Sequence, residues 1–194
     1  MRSEIADVVD LALAVAAAFD RSGVPYFLGG SLASSLQGEP RATNDIDFVI
    51  EIDEARIPLL SAALGTDFDV DETALAEAVR TRGSWNIFYL PFVTKIDLFV
   101  KGDAPYDQSE FARRRQVEVR PGKALYLKSP EDSVLRKLRW YVDGGSASER
   151  QLRDVIEILS VNSGRLDEGY LDEWARQLAV SDELRRARDQ AAAR

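Results

Sequence analysis

From Asn44 to Ile52 the chain reads Asn-Asp-Ile-Asp-Phe-Val-Ile-Glu-Ile, an alternation that predicts a β-strand with Ile46, Phe48 and Ile50 on one face. Asp45 and Asp47 then share the opposite face. An apolar strand face must be covered by another layer, so this stretch belongs to a sheet with helices packed on it. Its neighbours in sequence supply the layers. Glu4 to Asp20 carries Ile5, Val8, Val9, Leu11, Leu13 and Val15 among many alanines, a helical pattern closed by Ser22-Gly23. Pro25 to Leu28 is a short apolar run entering the Gly29-Gly30 turn, and Ser31 to Leu36 reads as a short helix whose first-turn N–H groups form an anion site.

Further along, helical patterns cover Ile57 to Leu64 and Glu72 to Arg82. Two β-rich runs, Trp85 to Leu90 and Val93 to Val100, are separated by Pro91 and predict a hairpin. From Pro130 the pattern turns helical throughout: Pro130 to Val142, Ser148 to Val161, Leu166 to Leu178 and Ser181 to about Ala191. The expected organisation is therefore an α/β part over residues 1–128 and an all-helical part over 129–194, within a length that suits one domain with a helical annex.

Composition narrows the chemistry. Cysteine and histidine are both absent, which excludes disulfides, thiol catalysis and His-based triads and argues against a zinc site. The formal charge of −8 opposes nonspecific coating of a polyanion, so any nucleic acid has to meet a local patch. Arg113, Arg114, Arg115 and Arg120 form one candidate patch, and Arg136, Lys137 and Arg139 another, although a charge run is commonly only a solvated face. No apolar run reaches the roughly 18 residues of a membrane span and no basic leader precedes Ala12 to Phe19, so a cytoplasmic protein with no membrane partner is expected.

The chemistry-bearing constellation is Gly29-Gly30-Ser31, thirteen further residues, Asp45-Ile46-Asp47, and then Lys95-Ile96-Asp97-Leu98 on a later strand. Carboxylates at i and i+2 project from one strand face, and a third on a neighbouring strand completes the hard oxygen set that Mg²⁺ prefers. Such acids need a cation to share a face. The Gly-Gly turn lets backbone approach a phosphate while Ser31 and the helix start donate hydrogen bonds. Arg41 and Thr43, just before the acids, either touch a phosphate or offset the carboxylates, or only shape the loop. Trp85, Trp140 and Trp174 are most economically core or interface residues.

The stretch LGGSLASSLQGEPRATNDIDFVI resembles the signature of the polymerase-β-like nucleotidyltransferase superfamily, a Gly-Gly/Ser turn followed by an Asp-x-Asp strand. The resemblance implies the nucleotidyltransferase fold, an α/β (α+β) core with a mixed, largely antiparallel sheet and flanking helices, followed by a helical C-terminal segment closing the cleft. It implies Asp45, Asp47 and Asp97 as catalytic ligands of two Mg²⁺ ions, Asp97 also activating the acceptor hydroxyl, with Gly29, Gly30 and Ser31 at the phosphates of a nucleoside triphosphate.

The tail, with Pro130-Glu131-Asp132 leading into VLRKLRWYVDGG and SERQLRDVIEIL, resembles abortive-infection-type nucleotidyltransferases, some of them toxins of toxin–antitoxin pairs. That similarity implies Lys137 on the triphosphate, Asp154 nearby and a possible antitoxin partner. Read from periodicity alone, Val134, Leu135, Leu138, Tyr141 and Val142 form the apolar stripe of their helix with Lys137 at its border, and Asp154 lies outside the stripe of the next, within reach of Arg150. The expected function is transfer of a nucleoside monophosphate from an NTP (ATP among them) to a hydroxyl of an RNA, protein or other acceptor. The alternatives are modification of a small-molecule antibiotic, and an inert nucleotide- or partner-binding protein of the same fold.

Overall fold

The computed structural model describes residues 5–38, 42–145 and 148–193, so Arg41 lies outside the described residues. The chain forms two compact units, one from the chain up to Leu32 with Thr43–Leu127, the other from Ala33–Ala42 with Lys128 onward.

In the first unit, helix α1 (Val8–Ser22) starts where Asp7 accepts hydrogen bonds from the backbone N–H groups of Val9 (2.9 Å) and Asp10 (3.0 Å). It stops at Gly23, whose φ of +65° is the left-handed turn that glycine enters without steric cost. Strand β1 (Tyr26–Leu28), helix α2 (Gly30–Gln37), strand β2 (Ile46–Ile50), helix α3 (Ile57–Leu64), strand β3 (Phe68–Asp69) and helix α4 (Glu72–Thr81) follow. Then come strands β4 (Ser84–Tyr89) and β5 (Thr94–Val100), helix α5 (Pro105–Ala112), and strands β6 (Arg115–Arg120) and β7 (Lys123–Leu127).

The seven strands form one sheet in the order β3-β4-β5-β2-β1-β7-β6. Four of its pairings are antiparallel and two, β2 with β5 and β1 with β7, are parallel, so the sheet is mixed and largely antiparallel as expected. The β4–β5 pair is the expected hairpin, turning through Leu90–Phe92 and Val93. Ile46, Phe48 and Ile50 are fully buried, and the Phe19 ring of α1 meets Phe48 edge-on at 5.1 Å. The sequence pattern did not anticipate β3, α5, β6 or β7.

The second unit holds helices α6 (Pro130–Asp143), α7 (Glu149–Val161), α8 (Glu168–Gln177) and α9 (Ser181–Ala192), together with the part of α2 from Ala33. Gln37 ties that segment in. Its side chain donates to the Lys128 carbonyl (2.5 Å) and accepts from Ser133 Oγ (2.5 Å), while its carbonyl accepts from Asn162 Nδ2 (3.0 Å). Ser129 caps α6, accepting from the Asp132 N–H and donating to the Asp132 carboxylate, which also accepts from Tyr170 OH at 2.7 Å.

One expectation about side chains needs correction. Asp154 and Lys137 are not border or surface groups: both are buried, and the Lys137 ammonium lies 2.7 Å from Asp154 Oδ2. The opposite charge is what admits each to the interior. Trp140, expected in the core or at an interface, is 43% exposed, with the Lys128 ammonium 5.6 Å from its ring.

Candidate active site

The Gly29-Gly30 turn is fixed to β2 by a backbone hydrogen bond from the Gly29 N–H to the Asp47 carbonyl, 2.7 Å. Gly30 opens α2 with a φ of +57°, and a Cβ there would fall 1.8 Å from Asp47 Oδ2. Only glycine therefore lets the helix start and the Asp47 carboxylate occupy neighbouring space. The first turn of α2 contains no acidic residue of its own, and the Asp47 carboxylate lies beside its positive end.

Asp47 and Asp97 are direct partners in the parallel register of β2 and β5. Parallel partners present their side chains on the same face, so the two carboxylates stand side by side while Ile46, Ile96, Phe48 and Leu98 are buried behind them. Asp45 precedes the strand and is exposed, and its N–H donates to Thr43 Oγ1 at 3.2 Å. Thr43 thus shapes the approach to β2. Carboxylate oxygens are the hard donors that suit Mg²⁺, and the cradle at Gly30 keeps one of them in place. Among the described residues, however, no three acids are gathered closely enough to hold a metal ion.

Asp97 has a lysine partner on its own strand. Lys95 Nζ lies 2.8 Å from Asp97 Oδ2. The hydrogen bond to Asp97 chiefly, opposed by some desolvation and then helped by the charges of Asp97, Asp47 and Asp45, raises the Lys95 pKa above its ordinary value. Sequence reading gave Lys95 no role, although its i−2 spacing from Asp97 on a strand already assigned it to the acids' face. Beside the acids, a cavity of about 490 Å³ is lined by Leu11, Asn44, Asp45, Phe92, Val93 and Lys95, among others. Val93, a β-branched residue, is held at φ +50° at its rim.

In the second unit, Lys137 bonds both Asp154 and Gln151 Oε1 (3.1 Å). The expected arginine patches are largely engaged. Arg114 stacks on Phe111 at 4.4 Å, Arg120 pairs with Asp7, and Arg139 bridges to Asp143 at 2.6 Å.

No family model matches the chain, and no curated protein matches it in sequence. Solved structures do match in fold. The antibiotic-resistance factor ANT(2'')-Ia in solution covers 93% of this chain and 98% of its own, at 14% identity and a TM-score of 0.54. An antigenic nucleotidyltransferase-like protein from Paracoccidioides brasiliensis covers 92% of each chain, at 19% identity and TM-score 0.54. The fold is that of a nucleotidyltransferase. A crystal structure of ANT(2")-Ia in complex with adenylyl-2"-tobramycin has the same nucleotidyltransferase fold, covering 89% of this chain and 96% of that one at 15% identity and TM-score 0.53.

Proposed function

We propose that this chain is a Mg²⁺-dependent nucleotidyltransferase that moves a nucleoside monophosphate from an NTP to a hydroxyl of an RNA, protein or other acceptor. The observation that carries this reading is the parallel Asp47–Asp97 pair beside a glycine-started helix pinned to the same strand. Asp47 and Asp97 would hold the metal together with the triphosphate, and Asp45 would have to close on them to serve as the third ligand. The metal when bound would supply charge neutralisation at the triphosphate and a lowered pKa for the attacking hydroxyl.

The protein's own groups do the rest. Gly29 and Gly30 bring backbone close to the phosphates, and the Ser31 hydroxyl and the α2 N–H groups donate to them. The Asp97 carboxylate accepts the acceptor's proton as its oxygen attacks the α-phosphorus and pyrophosphate leaves. Lys137 and Asp154 belong to the same proposal as triphosphate-binding groups on the tail's resemblance, and to reach a phosphate Lys137 would have to turn from the buried ion pair it makes with Asp154. Arg41 and Thr43 belong to the same proposal as phosphate-binding residues. A toxin paired with an antitoxin, working in the cytoplasm, rests on the tail's resemblance, and no helix among the described residues is long and apolar enough to cross a membrane.

Incubation with each labelled NTP, Mg²⁺ and cell extract tests the reading and reveals the acceptor fraction. Label is expected to enter one fraction with wild type and none with Asp47→Asn, which removes a ligand yet keeps the shape and relieves like-charge repulsion. Its thermal stability should stay level or rise. Unchanged labelling by this variant would exclude these acids as the catalytic centre.

A further inference from the structure

Lys95 is half exposed, on the strand that carries Asp97, and its ammonium is bonded to that carboxylate while lying in the field of Asp47 and Asp45. Two side-by-side carboxylates with a third at the strand entrance repel one another strongly when uncompensated. Across the hairpin the neighbour of Lys95 is Phe88 and one side faces solvent, so the ion pair with Asp97 is the contact that fixes its ammonium. Its charge is spent on the acids.

We propose that Lys95 is a built-in counter-ion of the carboxylate site, which a divalent cation must displace from Asp97 and which then turns to the incoming triphosphate. The proposal rests on reading Asp45, Asp47 and Asp97 as metal ligands. Its consequence is ordered loading. A bare divalent ion has to compete with a tethered ammonium, whereas an ion arriving with a triphosphate brings the anion that Lys95 needs in exchange. The metal-free protein is spared the repulsion of its own acids, and metal held without substrate is disfavoured.

Mn²⁺ alone is the direct test, its binding followed by electron paramagnetic resonance. Lys95→Met keeps the aliphatic stem and removes the charge, and should bind Mn²⁺ about tenfold more tightly than wild type. It should also melt at a lower temperature in EDTA, with the loss reversed by Mn²⁺. Lys95→Arg retains the charge and should behave as wild type, as should Lys123→Met, which removes an equal charge from an exposed position on β7. Added inorganic triphosphate should tighten Mn²⁺ binding by wild type far more than by Lys95→Met.

Equal or weaker Mn²⁺ binding by Lys95→Met, with Asp47→Asn still abolishing it, would overturn the counter-ion role while leaving the metal site standing. Lysine would then be a purely structural partner. Mn²⁺ binding that is insensitive to Asp47→Asn would instead remove the metal site itself and, with it, the proposal.

Discussion

At the scale of single residues, burial decides what a charge does. Lys137 and Asp154 have side chains only 4% and 3% exposed, so removing either takes the opposite charge away from a buried ion. Lys137→Ala is expected to cost about 3–5 kcal/mol of folding free energy in urea titration, the range for breaking a buried pair. Lys137→Met combined with Asp154→Leu should recover most of that loss, because two apolar side chains of similar volume leave no uncompensated ion. A loss below about 1 kcal/mol for the single variant would mean that the pair is open to water. Lys137 is thus doubly placed: its substitution lowers stability whether or not it also binds triphosphate, so binding must be measured on protein shown to be folded.

At the scale of elements, the start of α1 shows how a local cap becomes a pH response. The Asp10 backbone N–H chiefly, with the Arg120 charge and the Val9 N–H, holds the Asp7 carboxyl below its ordinary value of 3.8. A depressed folded-state pKa stabilises the fold above the ordinary value, and the contribution disappears as pH falls through the lowered one. Asp7→Ala should cost about 0.5–2 kcal/mol at neutral pH, the range for a lost helix cap, and should flatten the acid limb of a stability-versus-pH curve. An unchanged acid limb would rule out Asp7 as its source. Elements with one apolar face were legible from sequence in this way: α1, β2, the β4–β5 hairpin and α6–α9 follow from spacing and end signals. The stretch from 101 to 127 was not. Arg115–Arg120 is an edge strand with charges on both faces and little burial, and Pro105–Ala112 is short and weakly amphipathic, so neither carries the periodic contrast that pattern reading needs. Alternation puts Asp45 with Asp47 on one strand face and Asp97 on a later strand, but which strands pair, and that Lys95 bonds Asp97, are tertiary facts that alternation does not carry. The burial of Asp154 is not legible in its own helix, because its partner lies on another helix, out of reach of any local pattern.

At the scale of the whole molecule, helix α2 belongs to both units: Gly30–Leu32 to the first and Ala33 onward to the second. A cut after Leu127 would therefore leave residues 33–42 without the Lys128, Ser133 and Asn162 partners of Gln37. The fragment 1–127 is expected to be expanded and aggregation-prone, with little near-ultraviolet circular dichroism, whereas the full chain unfolds cooperatively. A native-like spectrum and a sharp melt for the fragment would make the first unit self-sufficient. The parallel register of β2 and β5 carries a consequence of another kind. It sets Ile46 on Ile96 and Phe48 on Leu98, all fully buried, and the same steps set Asp47 on Asp97. Shifting either strand by one residue would drive a carboxylate into the apolar layer and push an isoleucine out, so the error unfolds the chain before it can misalign the acids. Lineages that inherit such a shift lose the protein altogether, and those that keep it foldable inherit the spacing of the two carboxylates with it. Descent can silence this centre by exchanging an acid, leaving a sound but idle fold, yet it cannot detune the centre through a one-residue slip of its strands.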